Sequence, residues 1–151
     1  MLSVTTLAVT VAEADAYATS RGRTAWTGDN ATKTAALRRG QDYIAGLYNG
    51  RWTYEEPSGS IWVDREWTDT DAPTAVKYAI VEAAIREVTT PFSLSPDVTP
   101  GREKVLTEVK GIKWQAMGNG SSKSFMPIVM SIDLMLNGYA ISRGNANVMR
   151  A

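Results

Sequence analysis

Apolar residues first recur at helical spacing at Val11, Ala14 and Tyr17 or Ala18, which predicts a helix over about 11–21. Thr10-Val11-Ala12-Glu13 fits a capping box: the Thr10 hydroxyl covers a free backbone N–H, Glu13 reaches back, and Gly22 supplies the stop. Tyr17 then reads as a core anchor, and Trp26 falls in a loop. A second helix is predicted after Asn30, running through Ala35, Ala36 and Leu37 to about Tyr48, with Leu37, Ile44 and Leu47 or Tyr48 on one face. Gly40 interrupts it, at a cost of roughly 1 kcal/mol against Ala, and so either weakens the helix or marks close packing against another element. Arg38 and Arg39 point away from the apolar stripe, as solvated charge first and subunit contacts second.

Periodicity fails from Asn49 to Ala72, where Trp52, Tyr54, Trp62 and Trp67 sit among Gly, Pro, Ser and acids. A long irregular loop is predicted there. Loops of this length are uncommon in compact domains unless they bind something, and aromatic residues are enriched at interfaces. These four residues are therefore candidates for subunit contact, although some of the tryptophans must also fill the core. Ala72-Pro73 opens the strongest helical pattern, with Val76, Ala79 or Ile80, Ala83 and Ile85 or Val88, and Thr89-Thr90-Pro91 ends it. Its small residues Ala79, Ala83 and Ala84 permit close helix approach, so this is expected to be the central helix of the bundle.

A Pro- and Gly-containing linker over 91–102 leads to a different period. Val105, Thr107 and Val109 alternate with polar neighbours, Lys110-Gly111 can turn, and Ile112, Trp114 and Ala116 alternate again, which predicts a hairpin near 103–117. A lone hairpin is marginal in water and leaves open edges, so helices or another subunit are expected to cover it. Gly118 to Ser124 is a polar loop without P-loop spacing. A last helix is predicted from Pro127, with Ile128, Ile132 and Met135 or Leu136 buried and Asn137-Gly138 at its end. The domain thus covers 1–138, and 139–151 forms a C-terminal tail, either an idle terminus or a segment that docks into a groove through Val148 and Met149. The fold class is mainly α: a small bundle of about four helices with one β-hairpin, a long irregular loop and an extended tail.

Composition narrows the chemistry. The 151-residue chain has no Cys and no His, which removes thiolate nucleophiles, thiolate or imidazole metal sites and Ser-His-Asp triads. Only Asp64, Glu66, Asp69 and Asp71 crowd enough carboxylates to suggest a Mg²⁺ site. They lack the Gly-centred spacing of a calcium loop and read as a solvated acidic loop. The chain is expected to be no enzyme and to hold no cofactor or metal. No apolar run approaches the roughly 20 residues of a membrane span, and the N-terminus lacks the pattern of a signal peptide, which points to the cytosol. Formal charge is zero, which removes the broad attraction behind non-specific nucleic-acid binding. Its distribution is uneven: 51–90 is net four negative and 101–124 net three positive. In a ring of identical subunits such asymmetry can set one sign against a neighbour or toward a lumen.

Several stretches, in order over nearly the whole chain, carry a resemblance. They are Glu13-Ala14-Asp15-Ala16-Tyr17 with Gly22 and Trp26; Ala35-Ala36-Leu37 with Arg39 and Asp42-Tyr43-Ile44; and Tyr48 with Arg51-Trp52. Ala72-Pro73 follows with Val76, Ala79 and Glu82-Ala83, then Val109-Lys110-Gly111-Ile112-Lys113-Trp114, Phe125-Met126-Pro127 with Val129 and Asp133, and Val148-Met149-Arg150-Ala151. The set resembles the small head-to-tail adaptor (connector, or head-completion) proteins of tailed bacteriophages, a family also labelled DnaT-like single-stranded-DNA-binding. The chain departs from the family at Trp62-Val63-Asp64-Arg65, where relatives tend to carry an aromatic-Pro-Arg step.

The resemblance implies a homo-oligomeric ring, usually of twelve copies, in the virion neck at the portal vertex of the capsid. It implies portal protein on one side, tail or neck proteins on the other, and double-stranded genomic DNA passing through the lumen without sequence-specific contact. It also implies that the tail engages the portal. Tyr139, Arg143, Val148, Met149, Arg150 and Ala151 are the residues concerned, with Val148 and Met149 filling apolar notches and Arg143 and Arg150 meeting acids or the DNA backbone. Candidates for contact between subunits are Trp52, Tyr54, Trp62, Trp67, Trp114, Arg38 and Arg39. The alternative is a single-stranded-DNA-binding module, motivated by the label and by five tryptophans on which bases could stack.

Overall fold

A computed structural model describes residues 1–53, 66–97, 104–108, 113–116 and 127–140. The chain is mainly helical, with four helices: α1 Val11–Ser20, α2 Asn30–Tyr48, α3 Thr74–Thr89 and α4 Met130–Leu136. It divides into two compact units, Met1–Leu94 with Ile128–Ala151, and Ser95–Pro127.

In the first unit α3 touches all three other helices. Its buried positions Val76, Ala79, Ile80, Ala83 and Ala84 meet Leu37 and Ile44 of α2, Ala14 and Tyr17 of α1, and Ile132 and Leu136 of α4 in one core. Gly40 explains how closely α2 and α3 approach: a Cβ there would lie 2.8 Å from both Ala84 N and Ile80 O. Of the two roles open to this glycine, close packing is the one the fold uses.

The helix ends follow local chemistry. Glu13 N donates to Thr10 Oγ1 at 3.2 Å and Thr10 N to Glu13 Oε2 at 2.8 Å, completing the capping box. Gly22 takes φ 61° just past α1. Asp29 rather than Asn30 caps α2, accepting from Thr32 N at 2.7 Å. Pro73 occupies the N-cap of α3, one position earlier than its preference for the first turn suggests. The start of α4 differs more. The helix begins at Met130 with an extended Val129 as N-cap, and Pro127 and Ile128 are outside it, so Ile128, expected inside, is 64% exposed. Three non-helical residues rotate Ile128 off the stripe that Ile132 and Leu136 share.

The N-terminal segment lies along α2. Gln41, fully buried, donates to Ser3 O at 2.6 Å and Thr6 O at 2.8 Å and accepts from Ala8 N at 2.8 Å, which satisfies all its polar capacity save one lone pair. Leu2 bridges to Trp67 in parallel, and Trp67 N donates to Met1 O at 2.9 Å.

In the second unit β1 Lys104–Glu108 pairs antiparallel with β2 Lys113–Ala116. Leu106 stands opposite Trp114, and the register shifts between Leu106 and Glu108.

Candidate interaction surfaces

The acids are used structurally. Glu82 of α3 is 1% exposed and accepts from Tyr17 Oη at 2.9 Å, Arg23 Nε at 3.0 Å and Arg86 Nη1 at 3.2 Å. Burial alone would raise its carboxyl, but these donors outweigh burial and hold it below the usual range. The same contact works the other way on its neighbour: desolvation and the Glu82 carboxylate push the Tyr17 phenol up to about 12. Glu87, also 1% exposed, accepts from Arg39 Nε at 2.8 Å, Phe92 N at 2.7 Å and Leu94 N at 3.0 Å, fixing the turn after α3. Of the acidic stretch, Asp71 accepts from Thr68 N at 2.6 Å as a turn before α3, and Lys77 bonds the Asp69 carbonyl. No cluster of carboxylates suited to a metal ion occurs among the described residues.

The aromatic candidates separate by place. Trp52 is 3% exposed and Trp67 0%, their rings 4.9 Å apart and edge-on, with Tyr48 stacked 5.6 Å from Trp52. Trp52 Nε1 donates to Asn49 Oδ1 at 2.9 Å. Both tryptophans serve the core of the chain itself, which leaves neither ring a face for another molecule. Arg38 donates to Thr5 O at 2.8 Å and Arg39 pairs with Glu87, so both expected contact residues are tied within the chain first. Tyr139 is half-buried and accepts from Thr53 N at 3.0 Å through its carbonyl, while Ala140 bridges antiparallel to Trp52, so the chain stays on the fold through Ala140. Tyr54, Trp62, Arg143, Val148, Met149, Arg150 and Ala151 lie outside the described residues, and Trp114 is placed only as a β2 register position.

Several large apolar side chains are left exposed on the described surface. Met130 and Leu134 are 66% and 70% exposed on α4, two positions from the buried Ile132 and Leu136. They are outward apolar positions on a helix whose inner side is core, and the exposed Ile128 precedes that helix by two residues. A helix apolar on both sides is one that is covered on both sides when it works. Beside these positions a cleft of about 220 Å³ is lined by Tyr48, Arg51, Asp133, Leu134, Leu136 and Ala140, and Tyr48 Oη donates to Asp133 across it. A second cleft, about 570 Å³, opens between α1 and the N-terminal half of α3 around Tyr17 and Tyr78. Sequence periodicity could have found the α4 row, because Met130 and Leu134 are four apart and out of phase with Ile132 and Leu136.

Fold and surface define a small, mainly helical protein whose described exterior offers apolar contact points rather than a cluster of reactive groups, and none of its described helices is long and apolar enough to cross a membrane. The chain matches the family described as "Putative DnaT-like ssDNA binding protein" over residues 8–151, and it belongs to that family. No curated protein and no solved structure shows significant similarity to it.

Proposed function

We propose that the chain is a structural, non-enzymatic subunit of a tailed-phage head-to-tail adaptor. In this reading copies form a ring in the virion neck, the ring binds the portal, and packaged DNA passes through its centre. The observation that carries the reading is the pair of outward apolar side chains Met130 and Leu134 on a helix already packed on its inner side, with the exposed Ile128 just ahead of it. Exposed apolar patches of this kind mark protein contacts, and the pair adjoins the cleft at Ala140, from which the 141–151 segment departs.

The test mixes purified portal with the full chain or with a form ending at Ala140, then uses size-exclusion chromatography and negative-stain imaging. The full chain is expected to form a ring seated on the portal, and the shortened form to be retained far less. A full chain that stays monomeric and elutes apart from saturating portal would refute the adaptor. Equal retention of both forms would remove the tail from portal docking.

The family's description favours a second reading, binding of single-stranded DNA. Trp26, Trp52 and Trp67 are 7%, 3% and 0% exposed and cannot stack on bases without opening the core, so this reading rests on other residues. Oligonucleotide titration at low salt, followed by tryptophan fluorescence and anisotropy, discriminates the two: no change in either signal leaves DNA binding without support.

A further inference from the structure

The cleft beside α4 lies where the described chain ends. Ala140, 6% exposed and bridged to Trp52, is one of its walls, together with Leu134, Leu136 and Asp133 of the helical side. Leu134 both lines the cleft and is 70% exposed, and Met130 one turn before it is 66% exposed. Apolar surface therefore sits inside the cleft and at its mouth. The cleft's cation, Arg51, is turned to Leu47 O at 3.0 Å and over the Tyr48 ring, and Tyr48 bonds one oxygen of Asp133, Oδ1.

The sequence that follows Ala140 fits this place. Ile141-Ser142-Arg143 leads away, Gly144-Asn145 is a two-residue reversal signal, and Val148-Met149 supplies large apolar side chains beyond it. A reversal centred on Gly144-Asn145 sets Val148 opposite Ile141 and Met149 opposite Ala140, at the mouth of the cleft. Residues 141–151 carry Arg143 and Arg150 and no acid, which suits a cleft that contains Asp133. Tethered at the mouth, the segment meets the cleft at an effective concentration of about 1 mM, which a second copy or another protein must match to take its place.

We propose that in the free chain residues 141–151 fold back on their own anchor, with Val148 and Met149 covering Leu134 and the cleft. The apolar outer side of α4 is then closed until a partner draws the segment away. One event thus frees two contact elements, the segment and the helix side beneath it. That the partner is the portal rests on the adaptor reading; the cover within the chain does not.

Cysteine pairs in the full chain test it, because the chain has no cysteine of its own. A disulfide needs Cα atoms about 4.4–6.8 Å apart, so Leu134→Cys with Met149→Cys should close within one chain under mild oxidation of a dilute sample. Ala31→Cys with Met149→Cys is the control: Ala31 is exposed and lies about 25 Å along α2 from Tyr48, and this pair should close at least tenfold more slowly. Equal rates for the two pairs would overturn the proposal. Disulfides that join two chains, seen by intact mass, would overturn it as well and give the cleft to a second copy. Locked by its disulfide, the Leu134/Met149 variant should be retained on portal at least tenfold less than after reduction, and equal retention would overturn the release step. A closed disulfide with no retention of either form would strike the adaptor reading and leave the cover within the chain in place.

Discussion

Gly40→Ala and Gly46→Ala make the same change in the same helix, yet the structure assigns them opposite signs. Alanine relieves the helix penalty of glycine by about 1 kcal/mol in either place. At Gly46 nothing lies within 4 Å of the new methyl, so that gain stands. At Gly40 the methyl would sit 2.8 Å from Ala84 N and from Ile80 O, both backbone atoms that cannot rotate away. To reach ordinary contact α2 and α3 must part by about 0.6 Å along the seam, a gap that forfeits a quarter or more of the dispersion energy of each contact across it. Overpacking of this kind costs about 1–3 kcal/mol, and rigid walls place Gly40 near the top of that range. The net for Gly40→Ala is therefore about 2 kcal/mol of destabilisation. For a chain of this size that is a fall of about 4–8 °C in the thermal midpoint, against a rise of about 2–4 °C for Gly46→Ala. Circular dichroism melts, with urea titrations to confirm unchanged m-values, measure both. A Gly40→Ala midpoint at or above wild type would refute the close α2–α3 approach.

Three further outcomes follow from the same contacts. Glu82→Gln should cost about 2–3 kcal/mol in urea, less than a fully enclosed pair, because Arg23 and Arg86 are 45% and 38% exposed and can rehydrate. The Glu82 carboxyl is held below its unfolded value of 4.5, so its contribution is present above about pH 4.5 and lost as pH falls through the lower folded value. The variant should thus flatten the acid limb of the stability curve, and parallel curves for both proteins would contradict the assignment. Thr10→Ala, which breaks the capping box, should cost about 1 kcal/mol by the same titration. Leu134→Ser should leave stability within about 0.5 kcal/mol of wild type, because the side chain is 70% exposed, and on the proposed adaptor function should lower retention on portal; unchanged retention would show the exposed α4 side chains to be idle.

The first three helices were legible because caps and apolar period agree within each segment, as at Thr10–Glu13 and along α3. What local patterns could not supply was long-range closure. Trp52 and Trp67 sit among loop-forming residues and read as interface candidates, but the Leu2 bridge, the Ala140 bridge and their own edge-on contact bury them. Glu82 and Glu87 look like solvent positions of a helix, and only partners from α1, the loop after it and α2 make their burial tolerable. Gln41 has the same history, its amide matched by the N-terminal segment. Phe92 carries no sequence signal, since the residues that advertise a left-handed turn are glycine and asparagine. Of the site, the helical scaffold was readable; the exposed apolar positions were partly so, with Ile128 assigned inward and found outside.

The double clamp around Trp52 and Trp67 has a consequence for how such chains diversify. Trp52 is fastened to Ala140 and Trp67 to Leu2, and their rings meet, so the span that joins them leaves and returns through one anchored doorway. With both doorposts set, doubling the length of that span adds only about 0.6 kcal/mol of closure entropy. Relatives of this chain can therefore lengthen, shorten or rewrite the segment between these two anchors while inheriting the helical body unaltered.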